Sequence, residues 1–120
     1  MEKKCVLVVD DDKRVLKFIR IGLQTAGYRV LTCLTYEQGL TMAESEEPDI
    51  ILLDMRMPGI DCVKFMRELR SHTRAPVIAS SIDDAVAPET LRLGAAEFLA
   101  KPFKTEDLIT AIERTLARSD

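Results

Sequence analysis

The chain has 120 residues, 47% of them apolar, which is enough to fill the core of one domain of ordinary size. Its 20 acidic and 17 basic residues leave a net charge of -3, which argues against a polyanion-binding surface and so against nucleic acid as a direct partner. No apolar run approaches the roughly 20 residues that a membrane-spanning helix requires, and nothing reads as a signal peptide or an anchor, so no membrane partner is expected.

The three cysteines, Cys5, Cys33 and Cys62, are odd in number and widely spaced, and a single histidine, His72, accompanies them. Neither a disulfide framework nor a zinc site is suggested, and the pattern fits a reducing cytoplasm with the thiols acting as small buried or half-buried hydrophobes.

Short β-branched runs alternate with longer stretches of helical spacing, the pattern of repeated strand-helix units around a parallel sheet. Cys5 to Val9 is apolar without alternation, as expected of a strand covered on both faces. After Asp10, Asp11 and Asp12, the residues Val15, Leu16, Ile19 and Leu23 recur at helical spacing and Gly27 stops the first helix. Tyr28 to Leu34 reads as the second strand. Tyr36 to about Ser45 reads as the second helix, with Thr35 as its cap, Pro48 beyond it, and Glu44, Glu46 and Glu47 as a solvated face.

The third strand, Ile50 to Leu53, ends abruptly at Asp54. Met57, Pro58 and Gly59 make a loop, and Asp61 caps a helix carrying Cys62, Phe65, Met66 and Leu69 on one side. Pro76 to about Ser81 is the fourth strand. The fourth helix is expected to start near Pro88, because proline is tolerated only in a first helical turn, and to end at Gly94. Glu97 to Ala100 is a short fifth strand. Thr105 caps the last helix, whose Leu108, Ile109, Ile112 and Leu116 face inward. Residues 1–120 thus read as a single α/β domain without linker or repeat.

In an open parallel sheet, functional groups gather outside the C-terminal ends of the strands. Those ends carry Asp10 and Asp11, then Asp54, then Ser80 and Ser81, then Lys101 followed by Pro102. Crowded carboxylates repel one another, and a hard divalent cation such as magnesium, which takes one or two protein carboxylates in an oxygen shell, relieves the repulsion. A metal ion, an ammonium and a hydroxyl donor together neutralise a transferring phosphoryl group, and a carboxylate is itself a competent nucleophile.

Three stretches carry a resemblance: Val6 to Val9 followed by Asp10, Asp11 and Asp12; Ile50 to Leu53 followed by Asp54, Met55, Arg56, Met57, Pro58 and Gly59; and Lys101, Pro102 and Phe103. In these the chain resembles, over essentially its whole length, the receiver domain of bacterial response regulators. The resemblance implies a doubly wound, five-stranded parallel sheet with helices on both faces. It implies that Asp54 is the phosphoacceptor, that Asp11, Asp54 and the backbone carbonyl of Arg56 ligate magnesium (manganese could substitute), and that Asp10 assists through water. Lys101 would pair with the acceptor and then with the phosphoryl group, across a cis bond to Pro102.

The family also places a hydroxyl at the end of strand four and a rotameric aromatic on strand five; counting gives Ser81 and Phe98. Choosing Ser81 puts Ile82 where a small residue usually leaves access to the acceptor, whereas choosing Ser80 would put Ser81 there. Ser81 is favoured. The stretch from Ser81 to Lys101 is slightly shorter than is usual in the family, and Cys62 stands where glycine is common. The implied partners are a sensor histidine kinase or histidine phosphotransfer protein as donor and an unknown output domain or protein. The chain would catalyse only its own phosphorylation and dephosphorylation.

Other readings stay open. Asp12 and Asp61 read as helix caps alone, Met55, Met57 and Met66 as packing, and His72 as a solvated loop histidine. An aspartyl phosphohydrolase would want an acid-base partner beside the nucleophile, where the chain has Met55 and Arg56. A nucleotide or flavin module would want a glycine-rich loop after the first strand, and none is present. A degenerate receiver serving as a scaffold would not need the full acidic set.

Overall fold

Five strands and five α-helices alternate in the computed structural model, which describes residues 3–57 and 61–119. The strands are β1 (Cys5–Val9), β2 (Arg29–Cys33), β3 (Ile50–Asp54), β4 (Val77–Ser81) and β5 (Glu97–Ala100). The helices are α1 (Lys13–Thr25), α2 (Tyr36–Glu46), α3 (Cys62–His72), α4 (Ala87–Arg92) and α5 (Thr105–Ser119). All pairings are parallel, in the order β2-β1-β3-β4-β5. From β1 the chain steps outward to β2 and then crosses back to β3. The C-terminal ends of β1 and β3 therefore flank the point where strand order reverses, the crevice in which such sheets bind ligands.

The unalternating runs read from the sequence are buried throughout: every residue of β1, β3 and β4 is buried, because helices cover both faces. Leu7, Val9, Ile51, Leu53, Val77 and Ala79 face one layer with Tyr36, Phe65, Met66 and Leu69. The alternate residues Val6, Val8, Ile50, Leu52 and Ile78 face the other, against Leu16, Ile19 and Leu23 of α1 and Leu108, Ala111 and Ile112 of α5. Each fully buried leucine or isoleucine contributes about 1.5–3 kcal/mol of hydrophobic free energy, so these two layers hold the strand ends in place.

Local signals set the helix starts. Asp12 Oδ1 accepts from Arg14 N at 2.9 Å, Thr35 Oγ1 from Gln38 N at 3.1 Å, and Asp61 Oδ1 from Val63 N at 3.0 Å, as their residue types predict. Gly27 after α1 and Gly94 after α4 take φ of 98° and 108°, a region glycine enters without strain. The end of α2 is different: Glu47, not a glycine, adopts the left-handed conformation with φ 46°.

The structure corrects several sequence expectations. Thr105 is the first residue of α5, not its cap; the carbonyl of Lys104 opens the helix by accepting from Asp107 N at 3.1 Å and Leu108 N at 3.2 Å. Thr105 instead packs on Gly22, where a Cβ would lie 2.6 Å from Thr105 Cγ2, so the glycine is what lets α1 approach α5. Pro88 does lie in the first turn of α4, but a 3-10 turn, Asp84–Val86, precedes it, capped by Asp83.

His72 is the last residue of α3, and its Nδ1 lies 2.6 Å from Glu44 Oε2 of α2. Glu46 pairs with Arg29 at 3.1 Å, so two of the three expected solvated glutamates have cross-element partners. Pro58 and Gly59 of the expected loop lie outside the described residues. Among the described residues, no helix is long and apolar enough to cross a membrane.

Candidate functional site

The ends of β1 and β3 bring Asp10, Asp11 and Asp54 together: one carboxylate oxygen from each lies within 4.8 Å of the others. Asp10 and Asp54 are buried and Asp11 is exposed, so the cluster has a closed floor and an open mouth. With Arg56, Ile82 and Lys101 these residues line a cleft of about 750 Å³.

Each buried carboxylate is oriented by backbone. Asp10 Oδ1 accepts from Asp12 N at 2.9 Å, and Asp54 Oδ1 accepts from Arg56 N at 3.1 Å. Lys101 Nζ sits 2.5 Å from Asp10 Oδ2 and 3.7 Å from Asp54 Oδ2. The ammonium thus lies against Asp10, the deeper carboxylate, with Asp54 as its second neighbour rather than its main partner. The Lys101–Pro102 peptide is cis. Burial is the main reason the Asp54 carboxyl is pushed above its ordinary pKa; Asp10 and Asp11 add to this, while the Arg56 N–H and Lys101 oppose it. One lysine does not fully compensate three acids, so the donor set fits a hard divalent cation.

Arg56 directs its side chain outward toward Asp83, 4.0 Å away, leaving its carbonyl on the strand-end turn. The two serines separate by the pleat of β4. Ser80 pairs in register with Asp54 and shares its face, but its hydroxyl donates to the Leu99 carbonyl at 2.8 Å. Ser81 points to the opposite face, the one shared by Ala79 and half-buried Phe98, and its Oγ accepts from Asp83 N at 3.1 Å. Ile82 is 72% exposed at the cleft mouth. Met55, Met57 and Met66 are all buried, consistent with packing.

Two residues lie directly behind the site: Tyr36, which no sequence expectation connects with it, and Cys62, which the sequence marks only as standing where glycine is common. The Tyr36 hydroxyl donates to the carbonyl of Asp54 at 2.7 Å and contacts Cys62 Sγ at 3.3 Å, and Cys62 Sγ donates to the carbonyl of Met55 at 2.7 Å. Nothing in the spacing announces this, because the two residues come from different helices, α2 and α3. The only local hint is a tyrosine placed immediately after the cap Thr35, where its ring turns inward.

A family model for the response regulator receiver domain matches residues 6–113. The chain belongs to that family. This receiver domain is also similar to solved structures along nearly its full length. One is the receiver domain of the Francisella response regulator 1452, with 27% identity and a TM-score of 0.88, covering 98% of this chain and 100% of that one. Another is the Vibrio cholerae chemotaxis protein CheY4, with 27% identity and a TM-score of 0.85, covering 95% and 99%. NtrX from Brucella abortus in complex with ADP is similar at 28% identity and a TM-score of 0.90; the receiver domain matches 98% of its own length but only 28% of that chain.

Proposed function

We propose that this receiver domain is the phosphoacceptor switch of a phosphorelay, with Asp54 as the residue phosphorylated. The observation that carries the reading is the convergence of Asp10, Asp11, Asp54 and Lys101 in one cleft at the reversal of strand order. A carboxylate oxygen of Asp54 attacks the phosphorus of a phosphohistidine on a sensor kinase or phosphotransfer protein. The P–O bond to Asp54 forms as the P–N bond to the donor imidazole breaks.

Asp11, Asp54 and the Arg56 carbonyl would hold magnesium or manganese, with Asp10 assisting through water. When bound, that ion supplies charge neutralisation for the acidic cluster and for the phosphoryl oxygens. The Lys101 ammonium, already between two carboxylates, follows the charge as it moves onto the phosphoryl group. Ile82 and Lys101 also line an adjoining apolar recess with Phe18 and Phe103, so a protein donor reaching Asp54 meets exposed apolar surface beside it.

Ser81 is the hydroxyl that reads the new charge. Its position favours this over Ser80: the Ser80 hydroxyl is committed to Leu99, whereas Ser81 lies at the end of the face that carries Phe98. Rotation of Ser81 toward the phosphoryl group opens room for Phe98 to move inward, and the surface of α4 and β5 then changes its affinity for an output domain or protein. The chain catalyses only its own phosphorylation from a phosphodonor and its own dephosphorylation, in the cytoplasm. Incubation with acetyl phosphate and magnesium is expected to add one phosphoryl group, and none to Asp54→Asn; equal incorporation by the variant would overturn the assignment.

A further inference from the structure

The carbonyls of Asp54, the last residue of β3, and of Met55, the residue that follows it, are each held by a side chain from a different helix. Tyr36, the first residue of α2 and 3% exposed, donates to Asp54 O at 2.7 Å. Cys62, the first residue of α3, donates to Met55 O at 2.7 Å, and the two donors touch at 3.3 Å. The Tyr36 ring stacks on Phe65 of α3 with centroids 4.2 Å apart and planes 16° apart, so the tyrosine donor cannot swing away without unstacking buried rings. Burial first, then Cys62, raises the Tyr36 hydroxyl above its ordinary pKa.

On the other side of the same segment, Met55 N donates to Ser80 O at 2.9 Å and Arg56 N to Asp54 Oδ1 at 3.1 Å. The peptide groups on both sides of Met55 are therefore fixed. The next carbonyl along, that of Arg56, accepts no hydrogen bond from the described residues. We infer that Tyr36 and Cys62 act as positioning residues, a brace that presents the Arg56 carbonyl and the Asp54 carboxylate to a divalent cation and so sets the ion affinity of the site. The inference rests on the metal-dependent phosphoacceptor reading above. Its physical basis is that groups behind a metal site orient the ligands, and losing one commonly costs about tenfold or more in affinity.

The test is a magnesium titration by calorimetry of the wild-type chain, Tyr36→Phe, Cys62→Ala and Cys62→Ser, with thermal melts alongside. Tyr36→Phe keeps the stacked ring and removes only the donor, and is expected to weaken magnesium binding about tenfold. Its rate of phosphorylation by acetyl phosphate at saturating magnesium is expected to stay within about twofold of wild type, because orientation is recovered once the ion is bound. Cys62→Ser retains a donor and is expected to bind as wild type does, while Cys62→Ala loses affinity. Should Tyr36→Phe not fold, the serine and alanine variants decide the matter between them. Wild-type affinity in both Tyr36→Phe and Cys62→Ala, even with lowered melting temperatures, would overturn the brace and leave the acceptor assignment standing. A wild-type chain that does not bind magnesium would instead overturn the reading on which the brace rests.

Discussion

At the scale of single residues, the site is built around a charge imbalance. Asp54 is almost fully buried beside two other acids, and its carboxyl holds its proton to higher pH in the folded chain than in the unfolded one. Ionising it at neutral pH therefore costs stability. We expect Asp54→Asn to stabilise the metal-free protein by about 1 kcal/mol, a rise of about 4 °C in Tm, measurable in a thermal melt with chelator present. An unchanged or lowered Tm would mean that the carboxylate is already compensated.

Lys101 predicts the opposite sign. Its side chain is 15% exposed against Asp10 at 4%, so Lys101→Met leaves a buried acid unpaired and should cost about 2–3 kcal/mol in denaturant unfolding. Added magnesium should shrink that deficit, since another cation then faces the acids. A deficit that magnesium does not alter would indicate that Lys101 contributes packing rather than charge.

At the scale of elements, β5 and α5 are joined by one acid and several donors. Glu97 Oε1 lies 2.5 Å from Arg114 Nη2, Glu97 Oε2 lies 2.9 Å from Arg118 Nη2, and Thr115 Oγ1 donates to Glu97 Oε2 at 3.2 Å. The Arg114 hydrogen bond holds the Glu97 carboxyl below the usual carboxylate range. A depressed folded-state pKa contributes stability above the unfolded value, near 4.5, and loses it as pH falls through the folded value. Glu97→Gln should therefore be less stable than wild type at about pH 6, and the gap should close toward about pH 3. A gap independent of pH would show that the ionised carboxylate is not what ties β5 to α5.

The elements themselves were largely legible, for a physical reason. A strand buried on both faces must be continuously apolar, so Cys5 to Val9 and Ile50 to Leu53 could be nothing else once Asp10 and Asp54 ended them. Caps were legible where one side chain satisfies the backbone a few residues away, as at Asp12, Thr35 and Asp61. The 3-10 turn before Pro88 was not, because a short turn carries no hydrophobic period. The His72–Glu44 pair was not either, since it joins residues 28 apart in sequence.

At the scale of the whole molecule, the site follows from where the strand order reverses. The two apolar layers fix the ends of β1 and β3 side by side, and that alone brings Asp10, Asp11 and Asp54 within reach of one another. This convergence could be read in the sequence, because it depends only on strand order and on which residue ends each strand. The preference of Lys101 for Asp10, the split of Ser80 and Ser81 onto opposite faces, and the brace from Tyr36 and Cys62 could not, because each depends on side-chain direction after packing.

The central claim is that phosphoryl transfer ends on the Asp54 carboxylate. The most direct measurement is to phosphorylate the protein with acetyl phosphate and magnesium, reduce any acyl phosphate with borohydride, and locate the reduced residue by peptide mass spectrometry. We expect homoserine at position 54, and none there when the phosphorylated protein is treated with hydroxylamine before reduction. A phosphoryl group on Ser80, Ser81 or His72, or one on a different carboxylate, would contradict the assignment of Asp54 as the acceptor.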